Sequence, residues 1–300
     1  MNWIHRTHLL TIQVGMVAVL ISSAAGAIQA ATEKKVDTDP VRSRGLTHFH
    51  QGDALIEKAI AHTNSMLPSQ VPRLRGEWAG ETTYGSQERV RELVPVYSVA
   101  SPDTSRSTPA VVPLGCRCVF VDTTALAVWL LAQSSNPDTQ LALTDEYVLA
   151  FMLLHEVAHI QNGDASGSYE NGSFSILNTS ASYAKAREEK ADEFAARLIR
   201  DLIMAKKIDK ATQNANWIAM QLTILSWNMQ AYRTIEEFGA WVVGKPSVYF
   251  DPNYDHPNLA WRILNANHLI QNNENTKALL DAFDEARQRG AHPDPLYHRD

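Results

Sequence analysis

His155-Glu156-Val157-Ala158-His159 is the HExxH string around which this 300-residue chain is organised. On a helix, residues four apart lie one above the other, so the two imidazoles share one face and the carboxylate lies beside them. Two imidazoles at this spacing are typical zinc ligands, and the intervening glutamate is typical of a general base that acts on water. Because five residues also match by chance, the rest of the sequence must supply the remainder of such a site.

The helix that carries the string is predicted with clear ends. Thr144 is a start signal, and Asp145 and Glu146 fall in the first turn, where the helix dipole favours acids. Asn162-Gly163 is typical of a helix end. The motif therefore lies inside a helix of amphipathic to buried character, which is the context that metal ligation requires.

A catalytic zinc site usually has three protein ligands and leaves the fourth position for water. No histidine lies between His159 and His256, which excludes the extended motif of metzincins. A charged helix predicted from Ala184 to Met204 offers Glu188 as the third ligand, and Glu189 is the alternative. The loop before that helix leaves room for two helices to pack face to face around a metal.

Asp192 follows Glu188 by one helical turn on the same face. There it is placed to accept a hydrogen bond from a ligating imidazole and fix its tautomer. The small residues Ala191 and Ala195 allow close approach of the two helices. Taken alone, this spacing also fits a solvated charged surface; together with the HExxH helix it predicts the second half of a metal site.

Composition narrows the possible partners. The net charge is −6, and 45% of the residues are hydrophobic and 20% charged, as in ordinary globular proteins. Without an excess of Lys and Arg to meet phosphates, nucleic acid is not expected as a partner.

The N-terminus resembles a secretory signal peptide, which we assign to residues 1–30. Arg6 precedes an apolar run from Leu9 to Ile21, and small residues follow, with cleavage sites after Ala27 or Ala30. The alternative is an uncleaved anchor, for which the run is short. We expect export, to the periplasm of a bacterium, and no stable membrane span after cleavage.

The remaining segments predict an α+β fold that is mostly helical, with the HExxH helix packed on the second helix beside a small β-sheet. Residues 31–45 form a linker, 46–115 an N-terminal helix with strands and loops, 116–270 the metal-binding core, and 271–300 a C-terminal helix and tail. The uncharged stretch 211–232 is too rich in amides for a lipid-facing helix, which favours a buried core helix. Cys116 and Cys118 can share one face of a strand, and both a disulfide and two unpaired half-buried residues remain open.

Three segments together resemble the gluzincin peptidases of the CAAX prenyl endopeptidase and HtpX type, including their soluble periplasmic relatives. They are 153–164 (LLHEVAHIQNGD), 187–192 (REEKAD), and Asp255-His256-Pro257 with Arg262-Ile263. The second segment also resembles the minimal gluzincins of the ImmA/IrrE type, which are usually cytoplasmic. The membrane helices of the CAAX-type enzymes are absent, so prenyl-protein processing is not implied.

The resemblance implies roles for individual residues. It makes His155, His159 and Glu188 the ligands of one zinc ion per chain, and Glu156 the general base. It gives Asp192 the orientation of a ligand, and His256 or Arg262 the stabilisation of the oxyanion. The expected function is that of an exported zinc-dependent endopeptidase with a gluzincin-like core acting on a protein or peptide substrate. The alternative is a non-hydrolytic zinc-binding envelope protein with a scaffold or chaperone-like role.

Overall fold

The structure, a computed structural model, describes residues 39–77, 93–102, 107–133, 143–175, 181–229, 259–274 and 276–281. The chain divides into two units, Met1–Ser43 and Arg44–Asp300. The helices, sheets and site described below belong to the second unit. The predicted signal peptide lies outside the described residues, as does most of the predicted linker.

Helices make up most of the described fold, and they are α1 (Asp53–Met66), α2 (Thr123–Gln133), α3 (Asp145–Asn162), α4 (Ala181–Met204), α5 (Lys210–Met229) and α6 (Leu259–Gln271). Residues 276–281 are also helical, which agrees with the start of the predicted C-terminal helix. Short 3-10 turns occupy Arg42–Arg44 and His50–Gly52. The apolar spacing of residues 46–67 predicts one helix, but α1 begins only at Asp53, because the segment before it contains a strand and a 3-10 turn.

The larger sheet has five strands: β1 (Thr47–His48), β2 (Arg73–Glu77), β3 (Leu93–Ala100), β4 (Ala110–Val111) and β5 (Val119–Val121). Its order is β1-β3-β5-β4, and β2 also pairs with β3, along residues 93–97, whereas β1 pairs with residues 99–100. The β2–β3 and β3–β5 pairs are parallel, whereas β4 pairs antiparallel with β5. A hairpin of β6 (Ser168–Glu170) and β7 (Ser173–Ser175) follows α3. The predicted α+β class is therefore confirmed.

Helix α3 is the central element of the fold, and its bounds agree with the sequence signals. Asp145 and Glu146 occupy the first turn, and Gly163 ends the helix with a φ of 71°. This left-handed conformation suits glycine, and it lets the Gly163 N–H reach the carbonyl groups of His159 and Ile160. The Asp164 N–H adds a bond to the His159 carbonyl, so the chain turns sharply after the motif.

Apolar side chains on α3 explain why it lies inside the fold. Leu149, Leu153 and Leu154 are fully buried, and α3 packs against α1, α4 and α5. Burial of a leucine side chain contributes about 1.5–3 kcal/mol, so these three residues alone anchor the helix firmly. Ala195 on α4 is also fully buried and lets this helix approach closely, as its small size predicts.

Helix α5 is a core helix, as its amide-rich sequence predicts. Ile218 and Leu225 are buried, and so is Gln221, whose side-chain oxygen accepts a hydrogen bond from the Thr144 N–H at 2.7 Å. Among the described helices, none combines the length and apolar character needed to span a membrane. Cys116 and Cys118 form a disulfide in the loop between β4 and β5, which decides the question that the sequence left open.

Candidate metal centre and active site

The HExxH side chains lie in the buried C-terminal half of α3, where α4 packs against it and the Arg262 side chain reaches it from α6. His155 and Glu156 are 5% and 4% exposed, and His159 is fully buried. Charged and polar side chains are rarely buried to this degree unless they are paired or bind a ligand. The partners of these three residues therefore decide what the site can hold.

Three ligand atoms converge between α3 and α4. His155 Nε2 lies 3.1 Å from His159 Nε2 and 3.2 Å from Glu188 Oε2, and His159 Nε2 lies 3.3 Å from Glu188 Oε1. A tetrahedral zinc ion with bonds of about 2.0–2.1 Å separates neighbouring ligand atoms by about 3.3 Å. His155, His159 and Glu188 therefore fit a zinc ion, and among the described residues they form the cluster that could hold a metal.

Asp192 fixes the orientation of His155. Its Oδ1 atom lies 2.8 Å from His155 Nδ1. Because an ionised carboxylate only accepts hydrogen bonds, Nδ1 is the donor, and Nε2 is the ring atom that faces Glu188 and His159. This is the arrangement that the sequence predicts for Asp192. The Nδ1 atom of His159, in contrast, is buried without a hydrogen-bond partner among the described residues.

Arg262 reaches the site from α6 and makes a bidentate ion pair with Asp192 through Nε and Nη2. Its Nε lies 2.7 Å from Asp192 Oδ2, and its Nη2 lies 2.9 Å from Asp192 Oδ1. The Nη1 atom lies 3.4 Å from Glu188 Oε2. Arg262 is thus placed at the site, as predicted, but two of its three nitrogens are committed to Asp192. A role as oxyanion donor stays a prediction, because this geometry first makes Arg262 a support for Asp192.

The charges of the site raise its affinity for a cation. Burial alone lowers the pKa of His155, but the carboxylates of Asp192 and Glu188 outweigh it and raise the pKa to about 10. Burial opposes the charge of Asp192 as well, yet Arg262 and His155 hold the pKa of that carboxyl below its usual value. The cluster therefore attracts positive charge to its ligand atoms, and a metal ion competes there with a proton.

Glu156 reaches the end of β4 and makes its hydrogen bonds there. Its Oε2 atom accepts hydrogen bonds from the Val112 N–H at 2.9 Å and from the Ser166 hydroxyl at 2.8 Å. Neither Val112 nor Ser166 was expected from the sequence. Ser166 lies ten residues after Glu156 in a loop rich in Gly, Ser and Asn, and nothing in that pattern distinguishes it from its neighbours.

A cavity of about 360 Å³ opens beside the cluster. Its polar wall includes His155, Glu156, Glu188, Asp192 and Arg262. Its apolar wall comes from α2, α3, α5 and α6, with Trp129, Val148, Phe151, Met152, Leu222, Leu225 and Ile263. Apolar cavities with a few convergent polar groups are typical of ligand and substrate sites.

The edge of the sheet forms one rim of this cavity. The Asp122 N–H donates to the Pro109 carbonyl, which places the hydrogen-bonding groups of Pro109 and Val111 toward β5. The backbone groups of Ala110 and Val112 therefore point away from β5. The Val112 N–H donates to the Glu156 carboxylate, and the Val112 carbonyl accepts a hydrogen bond from the Ser166 N–H. Ala110, in contrast, lines the cavity.

Two of the residues singled out from the sequence are not part of this cluster as the structure describes it. His256, a candidate oxyanion donor, lies outside the described residues. Glu189, the alternative third ligand, is only half-buried and is not part of the cluster, whereas Glu188 is 4% exposed and points into it.

Comparison with known proteins adds one finding. No curated protein and no solved structure matches this chain. Residues 138–282, which include α3, Glu188, Asp192 and Arg262, match the family model of Peptidase U49, and this match supports a peptidase.

Proposed function

We propose that this chain is an exported zinc-dependent endopeptidase of the gluzincin type, with His155, His159 and Glu188 as the zinc ligands and Glu156 as the general base. The observation that carries the proposal is the convergence of these three ligand atoms beside a cavity that Glu156 also borders. The match to a peptidase family supports the same reaction class.

Two imidazoles and one carboxylate are a ligand set that suits zinc. When bound, zinc would polarise the scissile carbonyl and make water nucleophilic near neutral pH. Asp192 holds the His155 ring in the tautomer that leaves Nε2 free for ligation. Arg262 in turn holds both oxygens of Asp192, so the orientation of the ligand depends on a chain of buried contacts.

Glu156 would take a proton from the attacking water and deliver it to the leaving amine, a contribution of about 10²–10⁴-fold in rate. The oxyanion donor that we favour is His256, because Arg262 is engaged by Asp192. The substrate would lie extended along the edge of β4, where the outward N–H of Ala110 offers pairing to a peptide, while the Ala110 carbonyl accepts a hydrogen bond from the Thr108 hydroxyl at 3.3 Å. The apolar wall of the cavity suits a bulky apolar side chain of that peptide.

Export of the protein is supported by the signal-like N-terminus and by the Cys116–Cys118 disulfide. Disulfides form and persist in oxidising compartments such as the bacterial periplasm and are rare in the cytosol. Fractionation of cells that produce the full chain tests this part, since we expect the mature protein in the periplasm without residues 1–30.

The reaction is tested with purified wild-type protein and Glu156→Gln, a change that keeps the shape of the side chain. We expect about one zinc per chain in both proteins, and casein cleavage that falls by at least about 100-fold in the variant. If both proteins bind zinc and the wild type cleaves no peptide, the peptidase is refuted in favour of a non-hydrolytic zinc protein. If neither binds zinc, the metal site itself is refuted.

A further inference from the structure

The Glu156 carboxylate is bound on one oxygen only among the described contacts. Val112 N–H and the Ser166 hydroxyl both donate to Oε2, at 2.9 and 2.8 Å. The Val112 N–H also donates to the Ser166 hydroxyl oxygen at 2.7 Å, so this N–H is shared between the two acceptors and the three groups form a closed set. Ser166 is 8% exposed, which keeps most competing water away from this contact.

The backbone around Ser166 is held against the strand end by several contacts. The N–H groups of Ser166 and Gly167 donate to the Val112 carbonyl at 2.9 and 3.4 Å, and the Leu114 N–H donates to the Gly167 carbonyl at 2.8 Å. A Cβ atom at Gly167 would clash with the Phe174 ring, so a larger residue here would force that ring to move. These backbone hydrogen bonds hold residues 166–167 in place and thereby keep the Ser166 hydroxyl beside Glu156.

The two hydrogen bonds to Oε2 fix the orientation of the Glu156 carboxylate. Hydrogen bonds to a charged oxygen stabilise the negative charge there, and they are stronger than bonds between neutral groups. The other oxygen, Oε1, has no hydrogen bond to the described residues, and the Glu156 side chain borders the cavity. Oε1 is therefore the oxygen best placed to take a proton from a molecule in that cavity.

We infer that Ser166 is a positioning residue for the general base: together with the Val112 N–H it holds Oε2 and thereby aims Oε1 at the reacting water. This inference rests on the proposed peptidase function. Ser166 also lines the cavity, but its hydroxyl donates to Glu156, so the role that we assign to it is to position the base. A serine that merely satisfies a buried acceptor would contribute to stability without affecting the chemical step.

Three variants test the inference in the zinc-loaded protein. Ser166→Ala removes the hydroxyl and leaves the Val112 bond, and we expect kcat to fall about 10-fold with KM changed less than about twofold. Ser166→Thr keeps a hydroxyl at the same place and should recover most of kcat. Ser168→Ala is the matched control, because that hydroxyl pairs with Ser175 on the exposed hairpin, and its kcat should equal that of the wild type.

A measurement that needs no activity accompanies the kinetics. Urea unfolding of wild type, Ser166→Ala, Glu156→Gln and the double variant gives the coupling between the two side chains. We expect Ser166→Ala to lower the folding equilibrium constant about 10-fold more in the wild-type background than in the Glu156→Gln background. The reason is that the hydroxyl donates a stronger hydrogen bond to a charged carboxylate than to a neutral amide.

The outcomes separate the inference from the function on which it rests. Coupling with unchanged kcat makes Ser166 purely structural and overturns the inference, while the peptidase stands. Absence of coupling overturns the contact itself. A zinc-loaded wild type that cleaves no peptide refutes the proposed function, and the positioning role with it, whatever the coupling. Loss of kcat in Ser166→Ala with recovery in Ser166→Thr supports it.

Discussion

Replacement of Asp192 by asparagine tests the contacts that support the proposed metal ligands. Both oxygens of Asp192 are engaged: Oδ1 takes hydrogen bonds from His155 Nδ1 and Arg262 Nη2, and Oδ2 takes one from Arg262 Nε. An asparagine at this position would have nearly the same shape but only one acceptor oxygen. Its NH₂ group must then face a donor, either the imidazole or the guanidinium.

The expected magnitude follows from these contacts. Loss of the group that orients a ligating imidazole typically lowers metal affinity by about 10- to 100-fold, which corresponds to about 1.4–2.8 kcal/mol. The metal-free protein should also lose about 2–3 kcal/mol of unfolding free energy, because a hydrogen bond to a charged group contributes about 1.5–3 kcal/mol. The Arg262 cation keeps a neighbour in Glu188 at 3.4 Å, which limits the loss.

Zinc affinity is measured by competition with a chromophoric chelator, and stability by urea unfolding of the metal-free protein. Asp201→Asn is the matched control, since this residue lies on the same helix with its side chain 68% exposed and pairs only with neighbouring Arg200 in the described structure. Surface pairs of this kind contribute about 0–1 kcal/mol. If Asp192→Asn binds zinc as tightly as Asp201→Asn, Asp192 does not orient the ligand and our reasoning is wrong.

Two further changes test the third ligand and the end of α3. Glu188→Ala should lower zinc affinity by more than about 100-fold, beyond the range typical of a supporting partner, while Glu189→Ala should leave it unchanged; equal losses on chelator competition would contradict the choice of Glu188. Gly163→Ala should cost about 1 kcal/mol on urea unfolding, because its φ of 71° is unfavourable for a side chain, although open space surrounds the position. Gly163→Asn should cost less, since asparagine tolerates this conformation better, and an alanine variant as stable as wild type would contradict the cap.

Local signals made the helices of the core predictable. Acids in the first turn and a glycine in the left-handed conformation bracket α3, and both act through backbone groups within a few residues. The positions of His155, His159, Glu188 and Asp192 on two helix faces follow from the helical repeat alone. The start of α1 was less predictable, because pairing of Thr47–His48 with the distant end of β3 makes that segment a strand.

The fold class, the two helices of the candidate metal site and the faces that carry its residues were thus determined by the sequence itself, since they depend on short-range periodicity. Only the tertiary structure decided that Arg262 pairs with Asp192 and that Val112 and Ser166 donate hydrogen bonds to Glu156. These contacts join residues 70, 44 and 10 positions apart. Their geometry depends on how α6, the edge strand and the loop after α3 pack against one helix, and no local pattern encodes that packing.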